Sequence, residues 1–122
     1  MSKEAIYDVE IECISLMVLQ KAIAFLLKEL KAQKLAVAEF AIYGQRKIRV
    51  EGICMKLPKC AFPIDVVVKN GKLTICGDSM DLRYAAGVLK QFYGATEVSM
   101  KFRSEVKYNE KTKEAEVLLS GV

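Results

Sequence analysis

The groups in this chain that can do chemistry are few, and their spacing narrows them further. No histidine is present, so the side chain most often used to move protons near neutral pH is missing. Cys13, Cys54, Cys60 and Cys76 are too scattered for a disulfide framework, and no Cys-x-x-Cys occurs among them. Cys54 and Cys60 have five residues between them, whereas structural zinc pairs are usually separated by about two to four. Asp8, Glu10 and Glu12 alternate with apolar residues and line up three carboxylates on one face of a strand, a set suited to a hard cation. An acidic row facing lysines across the sheet is the commoner outcome for such a set. The reading is therefore no catalytic residue, no metal ligand set and no cofactor, and hence no enzyme.

Two places can attract anions. Between Gly44 and Lys72 stand Arg46, Lys47, Arg49, Lys56, Lys59, Lys69 and Lys72 against Glu51 and Asp65, a local charge of +5 in a chain of net charge +4. Arg46, Lys47, Arg49, Lys69 and Lys72 fall on polar faces or tips of predicted hairpins, where they can meet phosphates without reading sequence. Tyr43 and Phe62 are candidate stacking platforms for unpaired bases. The simpler role of such lysines is to keep strand edges from pairing and the protein in solution. The second place is a predicted helix start, where Asp78, Ser79 and Arg83 surround backbone N–H groups able to hold an anion. Asp78 and Asp81 can also fill those donors as ordinary caps.

The elements that must carry these residues follow from periodicity. Ala5 to Cys13 alternates as a strand. From Ser15, an N-cap residue, Leu16, Leu19, Ile23, Leu26, Leu27 and Leu30 recur at helical steps, predicting a helix that ends near Gln33. Ala38, Phe40 and Ile42 pair with Ile48 and Val50 across a Gly44-Gln45 turn, and Ile64, Val66 and Val68 pair with Leu73 and Ile75 across Asn70-Gly71. Valine at position 71 is expected to damage that second turn. The stretch from Met55 to Phe62 reads as an irregular connection. A second helix opens at Asp78 or Ser79, buries Leu82, Ala85, Val88, Leu89 and Phe92, and closes at Gly94. Residues 97–109 alternate strictly, predicting one long strand with Val98, Met100, Phe102, Val106 and Tyr108 on the core side. It returns through Asn109 to Thr112 into Ala115, Val117 and Leu119.

Together these predict one α+β domain over residues 1–122: an antiparallel sheet built from hairpins, two helices packed on one face, in the order strand, helix, four strands, helix, two strands. With 52% apolar and 28% charged residues, no secretory leader and no apolar run long enough to span a bilayer, the composition points to a cytoplasmic protein that does not engage membranes.

The opening strand and long helix, the Ile64 to Val68 strand, then Asp81-Leu82-Arg83-Tyr84-Ala85 and a Gly94-centred return to paired strands resemble an uncharacterised family. This is the family of the hypothetical chloroplast open reading frame thirty-five and its bacterial relatives. In that family an Arg-Tyr-Ala segment opens the second helix. Its segment usually continues to a His, and its members carry tryptophans, neither of which occurs here. The resemblance implies a fold and no catalytic residues.

The functional expectation is a small non-enzymatic module that engages a protein partner or a second copy through a sheet face or edge, with Val67 and Ala41 as apolar contacts among the charges of outer strand faces. The alternative is a nucleic-acid-binding accessory domain using the basic hairpins 44–72.

Overall fold

The branched runs on either side of Asn70-Gly71 dictate the centre of the fold. In the computed structural model, which describes residues 4–11, 14–36, 38–42, 45–49 and 52–118 (residues 4, 38–42 and 45–49 by their backbone pairing), Ile64–Lys69 is β6 and Lys72–Asp78 is β7. Val66 lies opposite Ile75 and Val68 opposite Leu73. Asn70 (φ 52°) and Gly71 (φ 73°) are both left-handed, the conformation that a two-residue turn between twisted strands requires.

The other elements assemble around this hairpin. They are β1 (Glu4–Val9), α1 (Leu16–Glu29), β2 (Gln33–Leu35), β3 (Ala38–Ile42), β4 (Gln45–Arg49), β5 (Ile53–Lys56), α2 (Ser79–Phe102), β8 (Glu105–Asn109) and β9 (Glu114–Leu118). Five strands form an antiparallel sheet in the order β1-β7-β6-β5-β2, while β3-β4 and β8-β9 stand as separate hairpins. Ile53, Met55, Ile64, Val66, Leu73, Ile75 and Val9 share one face of that sheet. They form a single core with Leu19, Ile23 and Leu26 of α1 and Leu82, Leu89 and Phe92 of α2. The architecture is α+β, as the hairpin count and helix count predict.

Local chemistry sets the helix starts. Ser15 Oγ accepts from Val18 N–H at the head of α1, and the backbone N–H of Ser15 donates to the Tyr93 hydroxyl of α2 at 2.8 Å, tying the two helices together. Asp78 caps α2 by accepting from Met80 N–H at 2.9 Å. Asp81 Oδ2 reaches back to Phe62 N–H at 3.1 Å and fixes the connection that precedes β6.

Several expected boundaries move. Helix α1 stops at Glu29, because Lys31 turns left-handed (φ 55°) and Gln33–Leu35 pairs with β5. Met55 and Lys56 belong to a strand rather than to an irregular connection. The first hairpin sets Ile42 opposite Gln45, so its two-residue link is Tyr43-Gly44, outside the described residues. Its register puts Phe40 opposite Lys47 and Ile48 opposite Glu39, not apolar against apolar.

The largest shift is in α2, which runs through Gly94 and on to Phe102 before Arg103 closes it in the left-handed conformation (φ 47°). Thr96 and Ser99 continue the buried line of Leu89 and Phe92, so packing against the core decides for the helical period over the alternating one. Val98 and Phe102, expected in the core, face outward, and the strand begins only at Glu105.

The second face of the sheet is also covered at its centre. Cys54, Asp65 and Cys76 stand side by side across β5, β6 and β7, all buried, and Cys54 Sγ donates to Asp65 Oδ1 at 3.6 Å. Val67 is on this face with only 5% of its surface exposed, so it is no outward contact. Ala41 lies on β3, whose side chains are outside the described residues. The β3 strand approaches β7.

Candidate docking surface on the second helix

Helix α2 is 24 residues long and buries one side against both the sheet and α1. Its opposite side carries Gly87, Gln91, Gly94, Val98 and Phe102, all exposed, at steps of three and four residues that align them in one ridge. Val98 is 43% exposed and Phe102 63%, and Leu118 at the end of β9 adds another apolar side chain at 48%. Lys90, Glu97 and Lys101 flank the ridge.

Between this ridge and β9 runs a groove of about 300 Å³ lined by Gln91, Gly94, Ala95, Val98, Glu114, Ala115 and Val117. Gln91 Oε1 accepts the Ala115 N–H at 3.2 Å, which satisfies one backbone donor of β9 on the α2 side. Gly94 is unusual here. A Cβ built on it, or on Gly87, meets nothing within 4 Å, so among the described residues no contact requires a glycine at either position. Each costs the helix about 1 kcal/mol relative to alanine.

A second concavity, of about 310 Å³, lies where Leu30 and Lys31 after α1, the Pro58-Lys59 turn, Tyr84 and the β8-β9 turn converge. Lys59 Nζ sits 5.8 Å over the Tyr84 ring, and Tyr108 stacks on Phe92 with centroids 6.0 Å apart. Glu29 is engaged there, accepting the Tyr108 N–H at 3.0 Å and lying 3.9 Å from Lys107 Nζ.

Burial raises the Tyr84 hydroxyl above its usual range, with Tyr108 and Cys60 adding to the effect. The Cys60 thiol is pushed up to about 11, first by burial and then by Asp81, against the opposing pull of Lys56, whose ammonium donates to the carbonyls of Leu57 and Cys60. At neutral pH Cys60 holds its proton and is a poor nucleophile. The folded chain keeps that proton where the unfolded chain, with the ordinary value of 9.0, releases it. The contribution of this thiol to stability is therefore complete below about pH 9 and declines as the pH climbs toward 11. Urea unfolding of wild type and Cys60→Ala at about pH 8 and about pH 10.5 should show a smaller alkaline loss in the variant. Identical losses would refute the assignment.

The residues singled out by spacing fall as follows. Lys69 and Lys72 lie directly opposite each other at the exposed end of the β6-β7 hairpin. Arg46, Lys47 and Arg49 lie on β4, known by its backbone register alone. Asp78 serves as a cap, Ser79 is the first residue of α2, and Arg83 lines a shallow groove with Tyr7, Asp8, Glu10 and Lys90. Asp8 and Glu10 thus sit among cations, while Glu12 is outside the described residues. Cys54 packs with Leu35 and Phe62, whereas Cys60 belongs to the main core, so the two thiols are in separate clusters. Among the described residues no three His, Cys, Asp or Glu side chains gather. No helix of the described residues is long and apolar enough to cross a membrane.

The ridge itself was not legible from spacing, because residues 97–102 alternate as a strand would. The available signal was the i, i+4, i+8 series of Gly94, Val98 and Phe102, which only a helical reading assembles. No family model, no curated protein and no solved structure matches this chain.

Proposed function

We propose that this protein is a non-enzymatic binding and assembly module that docks other protein surface along the α2-β9 strip. One observation carries the reading: exposed Val98 lines a groove with Gly94, Ala95 and Ala115, and exposed Phe102, one turn further along α2, and Leu118, next to Val117, extend the apolar strip. A phenylalanine nearly two-thirds exposed is the kind of side chain that supplies much of the energy of a protein interface once covered. This strip replaces the sheet face expected from Val67.

Its setting is the cytoplasm, a reading supported by Cys54, whose S–H serves as a hydrogen-bond donor to a buried carboxylate. The resemblance to the chloroplast open reading frame thirty-five family is retained as a proposal. Arg83-Tyr84-Ala85 in the opening turns of α2, followed by a terminal strand pair, supports it.

The test is complex formation by the purified chain, read by light scattering and by crosslinking, with Phe102→Asp and Leu118→Asp as probes. Loss of association in both variants, with melting unchanged, supports the reading. A monomer whose only partners bind equally well to both variants overturns it. Binding of short oligonucleotides that falls with salt and disappears on charge reversal at Lys69 and Lys72 would instead favour the nucleic-acid alternative, which has in its support two like charges held opposite each other on one hairpin.

A further inference from the structure

The exposed ridge of α2 has complementary ends about Val98. Gly94 lies four residues before it and Phe102 four residues after, so one end of the series offers an empty place and the other a large ring. Glu97 and Lys101 flank the same stretch with opposite charges.

From this we infer that the partner on the strip is a second copy of the same chain. Two α2 helices run antiparallel, related by a two-fold axis that passes beside Val98. The inference rests on the docking reading above and names its occupant. Under that symmetry Val98 meets its own counterpart, and each Phe102 ring lies over Gly94 of the other copy. Each Glu97 comes beside Lys101 of the other copy, so one contact is made twice, as an isologous interface requires.

Two features point to a second copy rather than to an unrelated partner. Gly94 has open space where a Cβ would be, yet the helix bears the cost of a glycine there. That cost is offset if a ring from outside must approach the backbone closely. The charges beside the ridge are self-complementary only when the helices are antiparallel, since a parallel two-fold carries this flank of one copy to the far edge of the other and leaves Glu97 and Lys101 without an opposite charge across the contact. Leu118 lies on β9 opposite Glu105, just beyond the end of α2, and extends the apolar contact around Phe102.

Sedimentation of the full chain over a wide concentration range tests this directly. Wild type should dimerise reversibly. Gly94→Lys should still fold, because the site is open and lysine favours a helix, while its side chain fills the space meant for Phe102 and dimerisation weakens. E97K and K101E each turn two attractions per dimer into two repulsions and should weaken self-association by about tenfold or more. Mixed together, the two single variants should form a heterodimer, because every cross pair is then attractive, and the double variant should dimerise like wild type. A Gly94→Lys dimer as tight as wild type, or a mixture that stays monomeric, overturns the inference. A monomeric wild type that binds a different protein through Phe102 also overturns it while leaving the docking reading intact. Absence of any Phe102-dependent association ends both.

Discussion

Replacing Gly52 with alanine is expected to destabilise the protein by about 3 kcal/mol or more, although the change adds a single methyl group. A Cβ at this position would stand 1.8 Å from the carbonyl oxygen of Val66, 2.8 Å from its carbonyl carbon and 3.2 Å from Val67 Cα. All three are backbone atoms of β6, so no side-chain rotation relieves the overlap. Gly52 leads directly into β5, whose Ile53 pairs with Val66, and the only escape is for β5 to draw away from β6. Strand β2 is attached to the sheet through β5 alone, so it moves as well. Denaturant unfolding gives the measurement. Gly94→Ala is the natural comparison, because it has open space around it and removes a helix-weakening glycine, with an expected gain of up to about 1 kcal/mol. A Gly52→Ala protein as stable as wild type would show that β5 and β6 approach less closely than the structure has them.

The contrast between these two glycines shows which parts of the fold can be read from residues in order. The Asn70-Gly71 turn is legible because its requirement is local: two left-handed residues between branched runs admit few other solutions. The caps Ser15 and Asp78 are legible for the same reason, since each satisfies donors within three residues of itself. Gly52 carries no such mark. Its need arises from a strand that lies fourteen residues further on, and nothing adjacent to it announces that strand.

The end of α2 is hidden in the sequence on similar grounds. Residues 97–102 satisfy a two-residue period by their letters, but Thr96 and Ser99 are the positions that the core takes up. Ser99 Oγ donates to the Thr96 carbonyl at 2.9 Å, so a buried hydroxyl finds its partner inside the helix and ceases to look like a surface residue. Thr96 Oγ1 is buried without a hydrogen-bond partner among the described residues, a choice no hydrophobic pattern foretells. The covered second face of the sheet did leave a trace. Ile64-Asp65-Val66-Val67-Val68 is nearly continuous in apolar residues, and a strand buried on both sides reads that way. The candidate strip is hidden with the end of α2, because a two-residue period over 97–102 does not bring Gly94, Val98 and Phe102 together on one helical face.

Phe92→Ala is expected to remove about 3 to 5 kcal/mol, a large share of what a domain of this size holds in reserve. The ring is fully buried and packs in the core shared by both helices and the sheet, with Leu26, Leu89 and Val106 in the same cluster. Its loss has a second consequence, because the ring also supports Tyr108 in a stacked pair. The β8-β9 hairpin belongs to no larger sheet, and a two-stranded hairpin is barely stable by itself. It is held by Val106 in the core, by Tyr108 on Phe92, by the Tyr108 N–H on Glu29 and by Ala115 on Gln91. Removing the ring should therefore loosen the hairpin before the sheet, with amide exchange at residues 106–109 rising more than at 64–68 or 73–76. Should Phe92→Ala fail to fold, Phe92→Leu keeps most of the volume and is expected to cost about 1.5 kcal/mol while still releasing Tyr108. Uniform exchange across sheet and hairpin in the Leu variant would mean that Phe92 fills the core without anchoring β8 and β9. Loss confined to the hairpin would show that α2 anchors β8 and β9 through the Phe92 ring.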